Sequence, residues 1–156
     1  MANRFLSAVL VLPVLLLIVP VRGDCPDEKK IKVTLVVILA SEEGNKIDPR
    51  LKAIAEEVQK MNPNLKSFQL KTMTCKSLEQ GEKVKIPLID ERTAQVIVQQ
   101  AADKDNKVVL AVTPPDQGEI VYSTVCGKFL PIVTRCNTKC KNRLILAVRV
   151  QPCAGD

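Results

Sequence analysis

The side chains of this sequence best suited to chemistry are its six cysteines: Cys25, Cys75, Cys126, Cys136, Cys140 and Cys153. Cys136 and Cys140 stand close together in the stretch TRCNTKCKNR, among the basic residues Arg135, Lys139, Lys141 and Arg143. A pair of this kind can cycle between thiol and disulfide, hold a soft metal, or clip a turn. A thioredoxin-type redox pair is Cys-x-x-Cys at a helix N-terminus, where the helix dipole lowers the thiol pKa. Here the spacing is longer by one, and the flanking residues read as a hairpin. A zinc site finds little support either. The chain has no histidine, and the short cysteine spacing of a zinc knuckle occurs only once. The expectation is therefore a structural disulfide, with Asn137-Thr138-Lys139 as a three-residue hairpin loop and the two cysteines facing each other across it. Closing so short a loop contributes about 2 kcal/mol in the chain-entropy picture. The remaining cysteines suggest two longer links. Cys25–Cys153 would tie the ends if the first and last strands are antiparallel neighbours. Cys75–Cys126 would then join the middle of the chain. No metal and no cofactor are expected.

Catalysis is not expected either. The absence of histidine removes the commonest general base near neutral pH and rules out Ser-His-Asp and Cys-His sites. No glycine-rich phosphate loop or dinucleotide fingerprint occurs. Glu56 and Glu57 read as the solvated face of a helix. Asp103, Asp105 and Asn106 start like a calcium loop, but Lys107 and Val108 break the pattern and a hairpin turn is the better reading. The basic tip formed by Arg135, Lys139, Lys141 and Arg143 could meet an anionic polysaccharide or headgroup. Nucleic acid is not expected, because stacking surfaces are scarce: three Phe, one Tyr and no Trp. Basic residues at a hairpin end also serve simply to keep a strand edge from pairing.

The elements that must position these residues begin after an N-terminal stretch, MANRFLSAVLVLPVLLLIVPVRG, that reads as a secretory signal. It has a basic Arg4 and an apolar run interrupted by Pro13 and Pro20, shorter than the roughly 20 residues of a spanning helix. Val21 and Gly23 supply the small residues before a cut at Asp24. The organisation is then residues 1–23 as signal and residues 24–156 as one domain, secreted or periplasmic, with no membrane span after cleavage. Lys and Arg outnumber Asp and Glu by 23 to 17, spread along the chain in the manner of a soluble surface. An even cysteine count in an exported chain reads as disulfides.

Within the domain, KVTLVVILA is dense in β-branched residues and fits a strand buried on both faces. DPRLKAIAEEVQKMNP carries the strongest helix signal, over about 48–61: Asp48 as cap, Pro49 at the first position, and Leu51, Ile54, Ala55, Val58 and Met61 along one face. Alternating strands follow, separated by Asp90-Glu91, by AADKDNK and by PPDQG. The last, NRLILAVRVQPC, puts Leu144, Leu146, Val148 and Val150 on one side. The expected class is α+β: one amphipathic helix on a mainly antiparallel sheet or sandwich of about seven to eight strands, disulfide-braced.

Two stretches, VTLVVILASEEGNKIDPRLKAIAEEVQK and LKSFQLKTMTC with CGKFLPIV, together resemble an uncharacterised, planctomycete-type family of small exported bacterial proteins. The resemblance spans about Ile31 to Cys153 and rests on structural motifs, Ala-Ser before the loop and Asp-Pro opening the helix. It implies an exported domain with no assigned activity. The functional expectation is a non-catalytic, disulfide-stabilised binding or structural module of the cell envelope or extracellular space, with a protein or envelope component as partner. The alternatives are a thiol-disulfide or metal-handling protein using Cys136 and Cys140, and a polyanion binder using the basic tip.

Overall fold

The computed structural model describes residues 30–138 and 141–152. Residues 1–23, Cys25, Lys139, Cys140 and Cys153 lie outside them, and so do the expectations placed on them. The strands are β1 (Ile31–Ser41), β2 (Ser67–Leu78), β3 (Lys83–Pro87), β4 (Thr93–Gln100), β5 (Lys107–Thr113), β6 (Ile120–Val125), β7 (Phe129–Asn137) and β8 (Arg143–Pro152). A 3-10 turn, Pro49–Leu51, leads into the helix α1 (Lys52–Met61).

The strands form two four-stranded sheets, in the orders β2-β1-β8-β7 and β3-β4-β5-β6. All neighbouring strands are antiparallel. Only the second sheet is a simple meander. In the first, β1 lies between β2 and β8, so the first and last strands are indeed antiparallel neighbours, with Ile31 opposite Pro152 and Ala40 opposite Arg143.

Alternation explains how the sheets face each other. Val33, Leu35 and Val37 of β1 and Leu144, Leu146, Val148 and Val150 of β8 meet Ile86, Ala94, Val96, Val98, Val108, Leu110 and Val112 of the second sheet in one buried core. Fully burying one such aliphatic side chain stabilises by about 1.5–3 kcal/mol. The other face of β1 and β8 is also apolar. Val36, Ile38, Ala40, Ile145 and Ala147 pack on Leu51, Ile54, Ala55 and Val58 of the helical segment. The dense β1 sequence is thus buried on both sides, as its composition demands.

Local chemistry sets the helix. The Asp48 carboxylate accepts from the Arg50 backbone N–H at 3.0 Å, and Asn62 N–H donates to Val58 O at 2.8 Å to close the other end. Met61 departs from the expected stripe: it is 57% exposed, in the last turn of the helix.

The class expectation needs correction. The described residues are mostly β, two stacked sheets with one short helical segment, and not α+β. A single helix signal is conspicuous in sequence, but its apolar face covers only the outer side of one sheet. The disulfide bracing is corrected too. Cys75, Cys126 and Cys136 are free thiols. The Cys75–Cys126 link fails on placement. Cys75 is exposed, with its Sγ 3.5 Å from the Thr34 hydroxyl, whereas Cys126 packs against the core between the sheets.

Candidate functional site

The β7–β8 hairpin was expected to turn between Cys136 and Cys140. The ladder places the turn differently. Asn137 pairs with Arg143, so the ladder closes on these two residues rather than on cysteines. Thr138 N–H donates to Asn142 O at 2.8 Å, Asn142 N–H donates to Thr138 Oγ1 at 3.2 Å, and Lys141 takes the left-handed conformation at φ 60°. Cys136 faces the core. Its thiol donates to Pro115 O at 3.1 Å and lies 3.3 Å from Asp116 Oδ2. Burial pushes its pKa up, and the hydrogen bond and negative charge of Asp116 push it further the same way. A redox-active thiol needs the opposite shift. Burial likewise raises the Cys126 thiol.

The described basic residues of the tip, Arg135, Lys141 and Arg143, divide between two hollows. Arg135 lies beside Asp116, Gln117 and Glu119 of the β5–β6 turn. Lys141 and Arg143 line a separate cleft of about 480 Å³ at the end of the first sheet. The end of β1 and the loop after it line the same cleft, with Ser41, Glu42 and Glu43, and Leu65, Asn137 and Asn142 complete it. That loop is held in place: Lys66 N–H donates to Ser41 O at 2.8 Å, Glu43 N–H donates to Ser41 Oγ at 3.0 Å, and Gly44 turns the chain at φ 80°. None of the ion pairs among the described residues involves Glu42, Glu43, Lys141 or Arg143. Two acidic and two basic residues therefore line one cleft without pairing, together with residues that carry amide and hydroxyl groups. Such walls suit a polar group carrying both signs of charge.

Sequence reasoning singled out the cations and missed the carboxylates. The signal was available in part: if β1 and β8 are antiparallel neighbours, the end of β1 meets the start of β8, and Ser41-Glu42-Glu43 must sit beside the tip.

Elsewhere, the Asp103 segment is a turn. Asp103 Oδ1 accepts from the N–H groups of Asp105 and Lys107, both at 2.9 Å, and these bonds hold its carboxyl below the usual range. Among the described residues no three His, Cys, Asp or Glu side chains gather to hold a metal, and no helix is long and apolar enough to cross a membrane. Compared with known proteins, the chain matches no family model, no curated sequence and no solved structure.

Proposed function

We propose that this protein is a non-catalytic binding module of the cell envelope or extracellular space, holding its partner in the cleft between the Ser41–Glu43 loop and the β7–β8 hairpin. The apolar N-terminal stretch and the resemblance to exported bacterial proteins support the setting. The cleft supports the activity, and one observation carries it: Glu42 and Glu43 line the same cleft as Lys141 and Arg143, and none of the four is in an ion pair among the described residues. Its volume of about 480 Å³ falls within the range of small-ligand sites, roughly 300–1,000 Å³. The ligand class is a zwitterion or a polar peptide segment with charges of both signs. The cations favour its carboxylate and the acids its ammonium group.

Two other readings lose ground on geometry. A polyanion approaching Lys141 and Arg143 meets two carboxylates in the same cleft, and Arg135 points into a different hollow. A thiol-disulfide role for Cys136 conflicts with a buried thiol whose pKa is raised.

A titration of the isotope-labelled protein with triglycine, and with triglycine blocked at both ends, tests the proposal by amide chemical shifts. Free triglycine should shift Ser41–Glu43 and Asn142–Arg143, and the blocked peptide should shift them at least several-fold less. No shift in either segment, or equal shifts from both peptides, rejects the cleft as a charge-reading site. Heparin binding that disappears with salt would instead favour the polyanion reading.

A further inference from the structure

Each sheet has two edge strands, and an unprotected edge is a template for pairing with another chain. Three of the four edges carry the devices that prevent this. β3 presents Lys83, Lys85 and Pro87 within five residues. β2 carries Lys71 and Lys76, and its pairing with β1 shifts register at Val37/Ile38. β7 contains Pro131 and Arg135, shifts register between Val133 and Asn137, and lies against α1. The fourth edge, β6, has none of them. Its sequence IVYSTV holds no charge and no proline, and its pairing with β5 runs without irregularity. Val121 and Val125 project from its outward face, 54% and 39% exposed.

We propose that β6 is a self-association edge, where a second copy of this chain adds its own β6 antiparallel to form one continuous eight-stranded sheet about a two-fold axis. The occupant follows from the sequence of the strand. In a two-fold pair centred on Ser123, Val121 comes opposite Val125 of the second copy, and Val125 opposite its Val121. Both exposed valines are thereby covered twice over, while the small Ser123 side chains meet at the axis. Glu119, just before the strand, then comes near the turn after β6 of the second copy, where Gly127 takes φ 89° and Lys128 follows, so that unlike charges flank each end of the ladder. A register slipped by two residues towards Tyr122 sets Glu119 against Val125 and Val121 against Ser123. The opposite slip leaves Val121 facing Gly127. One register alone satisfies both the apolar and the charged residues, as a self-complementary interface requires. A single strand pair is a small contact compared with stable dimer interfaces of about 1,200–2,000 Å², so the dimer is reversible and dependent on concentration.

Sedimentation equilibrium of the purified protein, over a wide concentration range and with reductant to exclude thiol cross-links, provides the test. The wild type should fit a monomer–dimer equilibrium. Val121→Lys, a change at an exposed position, should be monomeric throughout with unchanged thermal stability. Glu119→Lys and Lys128→Glu should each weaken the dimer by about fivefold, the scale of an opposed like-charge pair in a sheet, and the double variant should recover it. A wild type that stays monomeric at the highest concentration overturns the proposal. A Val121→Lys dimer as tight as wild type does so too. Failure of the double charge reversal to restore association overturns the register.

Discussion

At the scale of single residues, the three described cysteines differ in what surrounds them, and this gives a direct chemical readout. Cys75 is exposed, Cys126 half-buried, and Cys136 buried with its thiol donating to Pro115 O. Thiolate is the reactive form, and burial raises the pKa of both Cys126 and Cys136. Alkylation of the reduced, folded protein should therefore modify Cys75 first and Cys136 last, with the order lost in urea. Peptide mass spectrometry at timed quenches measures this, and a Cys136 that reacts as fast as Cys75 contradicts its buried placement. The residue types could be read in the sequence, but their environments could not. Cys136 looked like half of a clip because its nearest cysteine was four positions on. The bulge in β7 moves the end of the ladder past it, and that depends on the pairing of Asn137 with Arg143, which no local pattern encodes.

The helix is the element whose sequence and structure agree most closely, and it supports two expectations. Two side-chain hydrogen bonds from Arg50, at 3.0 and 2.8 Å, and one from its backbone N–H hold the Asp48 carboxyl down at about 2, against an ordinary value of 3.8. A carboxylate depressed in the folded state stabilises fully above its unfolded pKa, and the contribution fades as pH falls through the folded one. The stability advantage of wild type over Asp48→Asn, followed by urea midpoints, should therefore be constant above pH 3.8 and shrink between there and about 2. A difference that does not change across that window removes the assigned role. The second expectation separates the buried face from the exposed end. Leu51→Ala, at a side chain 1% exposed between helix and sheet, should cost about 2–5 kcal/mol. Met61→Ala, at a 57% exposed side chain, should change stability by about 0.5 kcal/mol or less. The period of the apolar residues revealed the helix but not where its last turn leaves the sheet, since that boundary is set by tertiary contact.

At the scale of the whole molecule, individual strands were legible and their grouping was not. Alternation marked Val84, Ile86, Ala94, Val96, Val98, Val108, Leu110 and Val112 as one face, and these residues do line the core. Nothing in that pattern says that β2 leaves one sheet for β3 of another, or that β6 hands the chain back to β7. Strands of a single wide sheet and strands of two stacked sheets share the same period. The second face of β8 was hidden for a related reason: Ile145 and Ala147 resemble ordinary outward positions until the helix is seen lying over them. The cleft and the free edge of β6 are likewise products of grouping, since each depends on which strand ends or edges come to lie side by side.

The central position of β8 also carries a consequence in time. β1 pairs along its length with both β2 and β8, so the first strand to be synthesised waits for the last before its second row of hydrogen bonds can form. Until Arg143–Pro152 arrives, one edge of β1 is bare, the helix lacks Ile145 and Ala147 to rest on, and the main core lacks Leu144 and Leu146. Closing contacts between distant parts of a chain is the slow step in β-rich folding. The two-sheet core therefore stays open until β8 is made, and closes late.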